Sequence, residues 1–146
     1  AGMAPEKKAP APFSTGFSRR ARLLEQRDDL LYRVLRAGLP DHAVFHGVSL
    51  AAVIEPAADV RGYEREQSLR RLAQTRIDFV VCNNRLEIVA VVMFNADGTT
   101  QNGNHDIRTQ LEAARVRFVG IDPLALPRHQ EVRGLLYADA VAPDVR

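Results

Sequence analysis

The stretch from Arg76 to Asn95 constrains the fold more than any other part of the chain. Arg-Ile-Asp-Phe-Val-Val-Cys is followed by Asn83-Asn84-Arg85 and then by Leu-Glu-Ile-Val-Ala-Val-Val-Met-Phe-Asn. Two β-branched and aromatic runs around a short polar turn predict a β-hairpin. Both runs are apolar on successive residues near their middles. Such strands are buried on both faces, so helices are expected above and below them. Asp78 interrupts the first run. A carboxylate there is either functional or held by hydrogen bonds, because a bare buried charge is costly.

The chain has 146 residues, enough for one domain with a core of its own. We expect an arm over residues 1–17, a single domain over 18–138 and a tail over 139–146. With 20 basic and 18 acidic residues, the balance is too mild to imply nucleic-acid binding by itself. The single cysteine, Cys82, excludes an intrachain disulfide and reads as a small buried hydrophobe. A reducing, cytoplasmic setting fits that usage. No apolar run reaches the length of a membrane span, and no signal peptide is visible. Ala1-Gly2-Met3 reads as a cloning remnant, which leaves room for a longer natural chain with an N-terminal anchor.

Along the rest of the chain, Leu24, Leu31, Val34 and Leu35 recur at helical spacing. They predict a helix from about Ser18 to Ala37, ended by Gly38 and Pro40. On it, Asp28 is expected to be an exposed carboxylate. Val44 to Val48 reads as a short strand, and Ser49 as the cap of a short helix to Ile54. His42 and His46 have no metal-ligand partners in the pattern and are taken as structural or surface residues. A polar helix is expected over Tyr63–Gln74. A loop over Ala96–Asn104 then leads to a helix opened by His105 and Asp106. A strand over Val116–Ile121 and a helix over Pro127–Ala138 complete the order α-β-α-α-β-β-α-β-α. The fold class is α/β, with a mixed central sheet of about four strands flanked by helices.

Leu31-Tyr32-Arg33-Val34-Leu35, Val48-Ser49-Leu50 and Ile77-Asp78-Phe79-Val80-Val81-Cys82 stand in a familiar order and spacing. Ala90-Val91-Val92-Met93-Phe94-Asn95, Asp106-Ile107-Arg108 and Leu111-Glu112-Ala113-Ala114 continue it. Together they resemble the DUF2726 family of bacterial proteins over roughly Leu23 to Leu136. The resemblance implies a PD-(D/E)XK, restriction-endonuclease-like fold. Acids on neighbouring strands there hold a divalent cation that activates water and stabilises charge on a phosphate. By that implication Asp78 is the first acid. Met93 stands where the second-strand glutamate belongs, and Asn95 where the aspartate belongs. The serine-linked histidine of the family pattern is missing, and Gly120 stands where an arginine is common. Asp28 and Asp106 match acidic positions.

A methionine thioether is too soft for a hard cation, and asparagine keeps one acceptor oxygen without the charge. The first reading is therefore a catalytically degenerate nuclease-fold domain, leaning away from enzyme activity. It would act as a nucleic-acid-binding or protein-interaction module and need no cofactor. Asp78 and Asn95 would be the vestigial catalytic pair. Arg70, Arg71, Arg76 and Arg108 would border a groove for DNA or RNA. The alternative is an active Mg²⁺-dependent nuclease that binds metal through Asp78 with a migrated acid at Asp28, Asp97 or Asp106. A third reading is a structural or partner-binding domain with no nucleic-acid role. Independently of these readings, an Asp78 without its partner acid is expected to cap a neighbouring helix or to pair with Arg76 or Arg108, ahead of binding metal.

Overall fold

The computed structural model describes residues 16–95 and 101–137, the side chains of 101–105 excepted. Within them the chain forms α1 (Gln26–Gly38), β1 (Ala43–Ser49), a 3₁₀ turn (Leu50–Ala52), α2 (Gly62–Gln74), β2 (Arg76–Cys82), β3 (Ile88–Phe94), α3 (Gln101–Ala113), β4 (Arg117–Ile121) and α4 (His129–Tyr137). The four strands make one mixed sheet in the order β1-β2-β3-β4. The first two pairings are antiparallel and β3–β4 is parallel. The expected mixed α/β architecture is thus present.

The hairpin supplies the two central strands. Phe79 faces Val92 and Val80 faces Val91, and the register shifts by one residue between Val81 and Cys82. Asn83 shapes the turn. Its Oδ1 accepts from the backbone N–H groups of Arg85 and Glu87, and Leu86 takes a left-handed backbone at φ 64°. Leu86 and Glu87 therefore belong to the turn, and β3 begins at Ile88, two residues later than the apolar run suggested.

Continuous apolar strands are explained by two clusters, one on each side of the sheet. Phe79, Val81, Ala90, Val92 and Phe94 pack with Leu31 and Leu35 of α1 and Val132 and Leu136 of α4. Val80, Cys82, Val91 and Met93 pack with Leu50, Leu72 of α2, and Ile107 and Leu111 of α3. Consecutive residues of β3 thus enter opposite cores, which is the strand alternation expected of a doubly covered sheet. Cys82 is a buried member of the second cluster, and burial pushes its thiol above the usual value.

Three helix boundaries differ from expectation. Helix α1 starts at Gln26, not Ser18. Arg19, Arg20 and Arg22 would oppose the positive end of a helix dipole, whereas Asp28 and Asp29 in the observed first turn complement it. Helix α3 starts at Gln101, one turn before His105, and absorbs part of the expected loop. Helix α4 starts at His129. The backbone N–H of Arg128 donates to Glu131 Oε1 at 2.9 Å, a side-chain cap three residues ahead. The Ser49 cap is present, with the Ala51 N–H donating to its hydroxyl at 3.2 Å. Asp97, Ala138, the tail and most of the arm lie outside the described residues.

Candidate functional site

Asp78 lies near the start of β2, where the ladders on both sides are interrupted. The β1–β2 register runs from Ala43↔Cys82 to His46↔Phe79 and resumes at Val48↔Ile77. Between these pairs stands Gly47, at φ 67°. The β2–β3 register begins only at Phe79. There the Asp78 carboxylate takes over a ladder role: the backbone N–H of Phe94 donates to its Oδ2 at 2.9 Å. In place of the expected helix cap or pairing with Arg76 or Arg108, the carboxylate takes this bond from a strand N–H.

Helix α1 and strand β1 bring the groups that act on Asp78. Desolvation raises its pKa, the Phe94 N–H opposes that, and the Asp28 carboxylate raises it further. Arg27 and His46 act in the lowering direction. Arg27 places its guanidinium 4.3 Å from the centre of the Phe94 ring. Asp28 Oδ2 lies 3.4 Å from His46 Nε2, and the His46 ring rests on Phe79 with centroids 5.0 Å apart. Asp28 Oδ1 is buried and has no hydrogen-bond partner among the described residues. The exposed carboxylate expected at Asp28 is therefore a half-buried one, drawn in by the sheet beneath α1.

These groups do not fit a hard divalent cation. Among the described residues no three His, Cys, Asp or Glu side chains come together as ligands. Mg²⁺ demands several oxygen donors in near-octahedral array. Here one Asp78 oxygen is engaged by a peptide N–H, and His46 brings nitrogen. Met93 is 6% exposed and packs in the apolar cluster under α2 and α3. Asn95 is exposed just past β3. Its N–H donates to the Ile121 carbonyl at 2.7 Å, and its side chain lies against Gly120, where a Cβ would collide with it. Asp106 is exposed on α3.

The four candidate arginines are dispersed. Arg70 and Arg71 are exposed on α2, and Arg71 lines a cavity of about 370 Å³ between α2 and α3. Arg76 lies over Gly47 of β1, at one edge of the sheet. Arg108 stacks its guanidinium 4.6 Å from the Phe118 ring centre of β4, at the other edge. There it joins Glu112, Arg115 and Arg117 in an open groove of about 690 Å³.

Residues 20–137 match the model of a family described as a protein of unknown function (DUF2726). The chain belongs to the DUF2726 family. No curated protein and no solved structure matches it. In this DUF2726 chain no helix among the described residues is long and apolar enough to cross a membrane.

Two groupings of side chains in this DUF2726 chain were not legible in the sequence, although His42 itself was expected to be structural or on the surface. His42 bridges distant elements: its Nδ1 lies 2.8 Å from Asp41 Oδ1 and its Nε2 lies 2.6 Å from the Tyr137 hydroxyl. Arg133 donates to the same Asp41 oxygen at 2.9 Å, and Arg133 with His42 holds the Asp41 carboxyl down at about 2. This network ties α4 to the α1–β1 connection and is structural. The second group is Arg115 with Arg117. Their spacing resembles ordinary surface charge, and only the fold sets them beside Arg108.

Proposed function

We propose that this chain is a restriction-endonuclease-like domain that has lost cleavage and works as a nucleic-acid-binding module. Met93 carries the reading. The resemblance asks for a catalytic glutamate at that position, and the side chain found there is a thioether sealed in an apolar core. A glutamate there would have to bury its charge, so this chain's packing is adapted to the loss. The donor set at Asp78, one carboxylate bound by a peptide N–H and one beside a histidine, supports the same conclusion. Exposed arginines on α2 and α3 supply groups suited to phosphate.

Purified protein is incubated with single- and double-stranded DNA and RNA in Mg²⁺ or Mn²⁺. No cleavage above background is expected, together with binding that weakens as salt rises. Cleavage that disappears in both Asp78→Ala and Asp28→Ala would establish instead a metal nuclease with a migrated acid.

A further inference from the structure

We propose that the groove along the outer edge of β4 is where the sugar–phosphate backbone of a nucleic acid docks, with Arg115 as a dedicated phosphate contact. The inference rests on the nucleic-acid-binding reading and assigns its site. It moves that site away from Asp78, to the far edge of the sheet.

Charge is the first observation. Arg108, Arg115 and Arg117 line the groove, and Glu112 is the one acid among its described lining residues, so the lining favours an anion. Two of the three guanidiniums are pre-positioned. Arg108 places its guanidinium carbon over the Phe118 ring, 4.6 Å from its centre. Arg117 donates to the Leu135 carbonyl through Nε at 3.3 Å and Nη2 at 2.7 Å. Arginines already ordered lose less freedom on meeting a phosphate. Gly120 leaves the floor without a side chain of its own, and the Asn95 amide lies across it as a neutral polar group.

The second observation concerns Arg115 itself. Helix α3 ends in a Schellman turn: the Val116 N–H donates to the Leu111 carbonyl at 2.8 Å and the Arg115 N–H to the Glu112 carbonyl at 3.0 Å. Arg115 occupies the left-handed position of that turn, with φ 62°. Glycine suits this position because it has no Cβ to clash. An arginine there costs stability through its backbone conformation, which its charge at the C-terminal end of the helix dipole offsets only in part, and its exposed side chain has no ion pair among the described residues. A strained backbone under a cation at the mouth of a basic groove points to a role in binding.

The full chain is titrated into fluorescein-labelled oligothymidylate and a labelled duplex, by anisotropy, over a salt series. Arg115→Gly is expected to weaken binding about three- to tenfold and to flatten the log–log salt slope by about one, as loss of one phosphate contact does. Its unfolding midpoint should equal or exceed that of the unmodified chain, which separates lost contact from lost fold. Arg108→Gln should act in the same direction. Arg85→Gln, the same charge change in the β2–β3 turn, should leave affinity unchanged. Equal losses in Arg115→Gly and Arg85→Gln would overturn the groove assignment and leave the binding reading intact. An unmodified chain that binds neither probe would remove the binding reading, and this site with it.

Discussion

The two faces of the sheet are built to different standards. On the α1–α4 face the helices meet each other as well as the strands. Gly38, the last residue of α1, lies so close to α4 that a Cβ would sit 2.5 Å from the His129 carbonyl oxygen and 2.8 Å from Val132 Cβ. That face also carries the ionisable groups of α1 that act on Asp78. On the α2–α3 face the core is wholly apolar, and α2 and α3 leave an open cavity between them, lined by Leu72, Arg71 and Gln110. Adjacent residues of β3 belong to the two regimes: Phe94 lies under Arg27, and Met93 is sealed among leucines and valines. Along β3 the face a side chain meets follows the parity of its position, whereas in β2 the alternation breaks at Asp78: Ile77 joins the α2–α3 cluster and Phe79 the α1–α4 cluster.

The sharpest way to break that contrast is Met93→Glu, which puts into the apolar face the acid that the proposed nuclease ancestry implies. An unpaired charge in such a site costs about 3–5 kcal/mol. Met93→Leu, which keeps the volume, should cost less than about 1.5 kcal/mol. Urea unfolding of both variants gives the comparison. If Met93→Glu lost no more than Met93→Leu, or gained Mg²⁺-dependent cleavage, the site would be far wetter than its burial indicates.

Much of this was written in local pattern. The hairpin, its doubly apolar strands and the mixed sheet follow from β-branched runs around Asn83. The Ser49 cap follows from residue chemistry alone. What escaped was set by tertiary partners. Asp28 reads as a surface acid on its helix, and only the strand beneath α1 half-buries it beside His46. Gly38 reads as a helix stop, yet its larger duty is to admit α4. Asp78 was legible as an anomaly but not its partner, since a peptide N–H on the neighbouring strand leaves no mark in the sequence. At the β4 edge Arg108 was legible as a candidate, but Arg115 and Arg117 were missed because their convergence on it depends on the α3–β4 turn.

The tightness of the α1–α4 contact is tested by Gly38→Ala. One methyl group forced against backbone and Val132 should cost about 2 kcal/mol. Gly134→Ala is the internal control. It lies within α4, where an added Cβ meets nothing within 4 Å, so a gain of about 0.5–1 kcal/mol is expected from helix propensity. Losses of the same sign at both positions would show that α4 tolerates no change at all, and the specific claim about Gly38 would fall.

The smallest effect probes the charged corner of that same face. Asp78→Ala leaves the Phe94 N–H without its acceptor, a loss of about 1 kcal/mol at neutral pH. Asp78→Asn keeps an acceptor oxygen and removes a desolvated charge facing Asp28, so it should be neutral or stabilising. The pH dependence fixes the sign. The folded protein raises the Asp78 pKa above its ordinary 3.8, so between the two values the folded state holds the proton more tightly. Its contribution to stability is complete below 3.8 and is lost as pH rises through the folded value. Comparing the unmodified chain with Asp78→Asn from neutral pH downwards should therefore show the Asn advantage shrinking as acid protonates Asp78. An advantage that grew on acidification would mean that the carboxylate is stabilised in the folded chain, by Arg27 and the Phe94 N–H, more than burial and Asp28 oppose it.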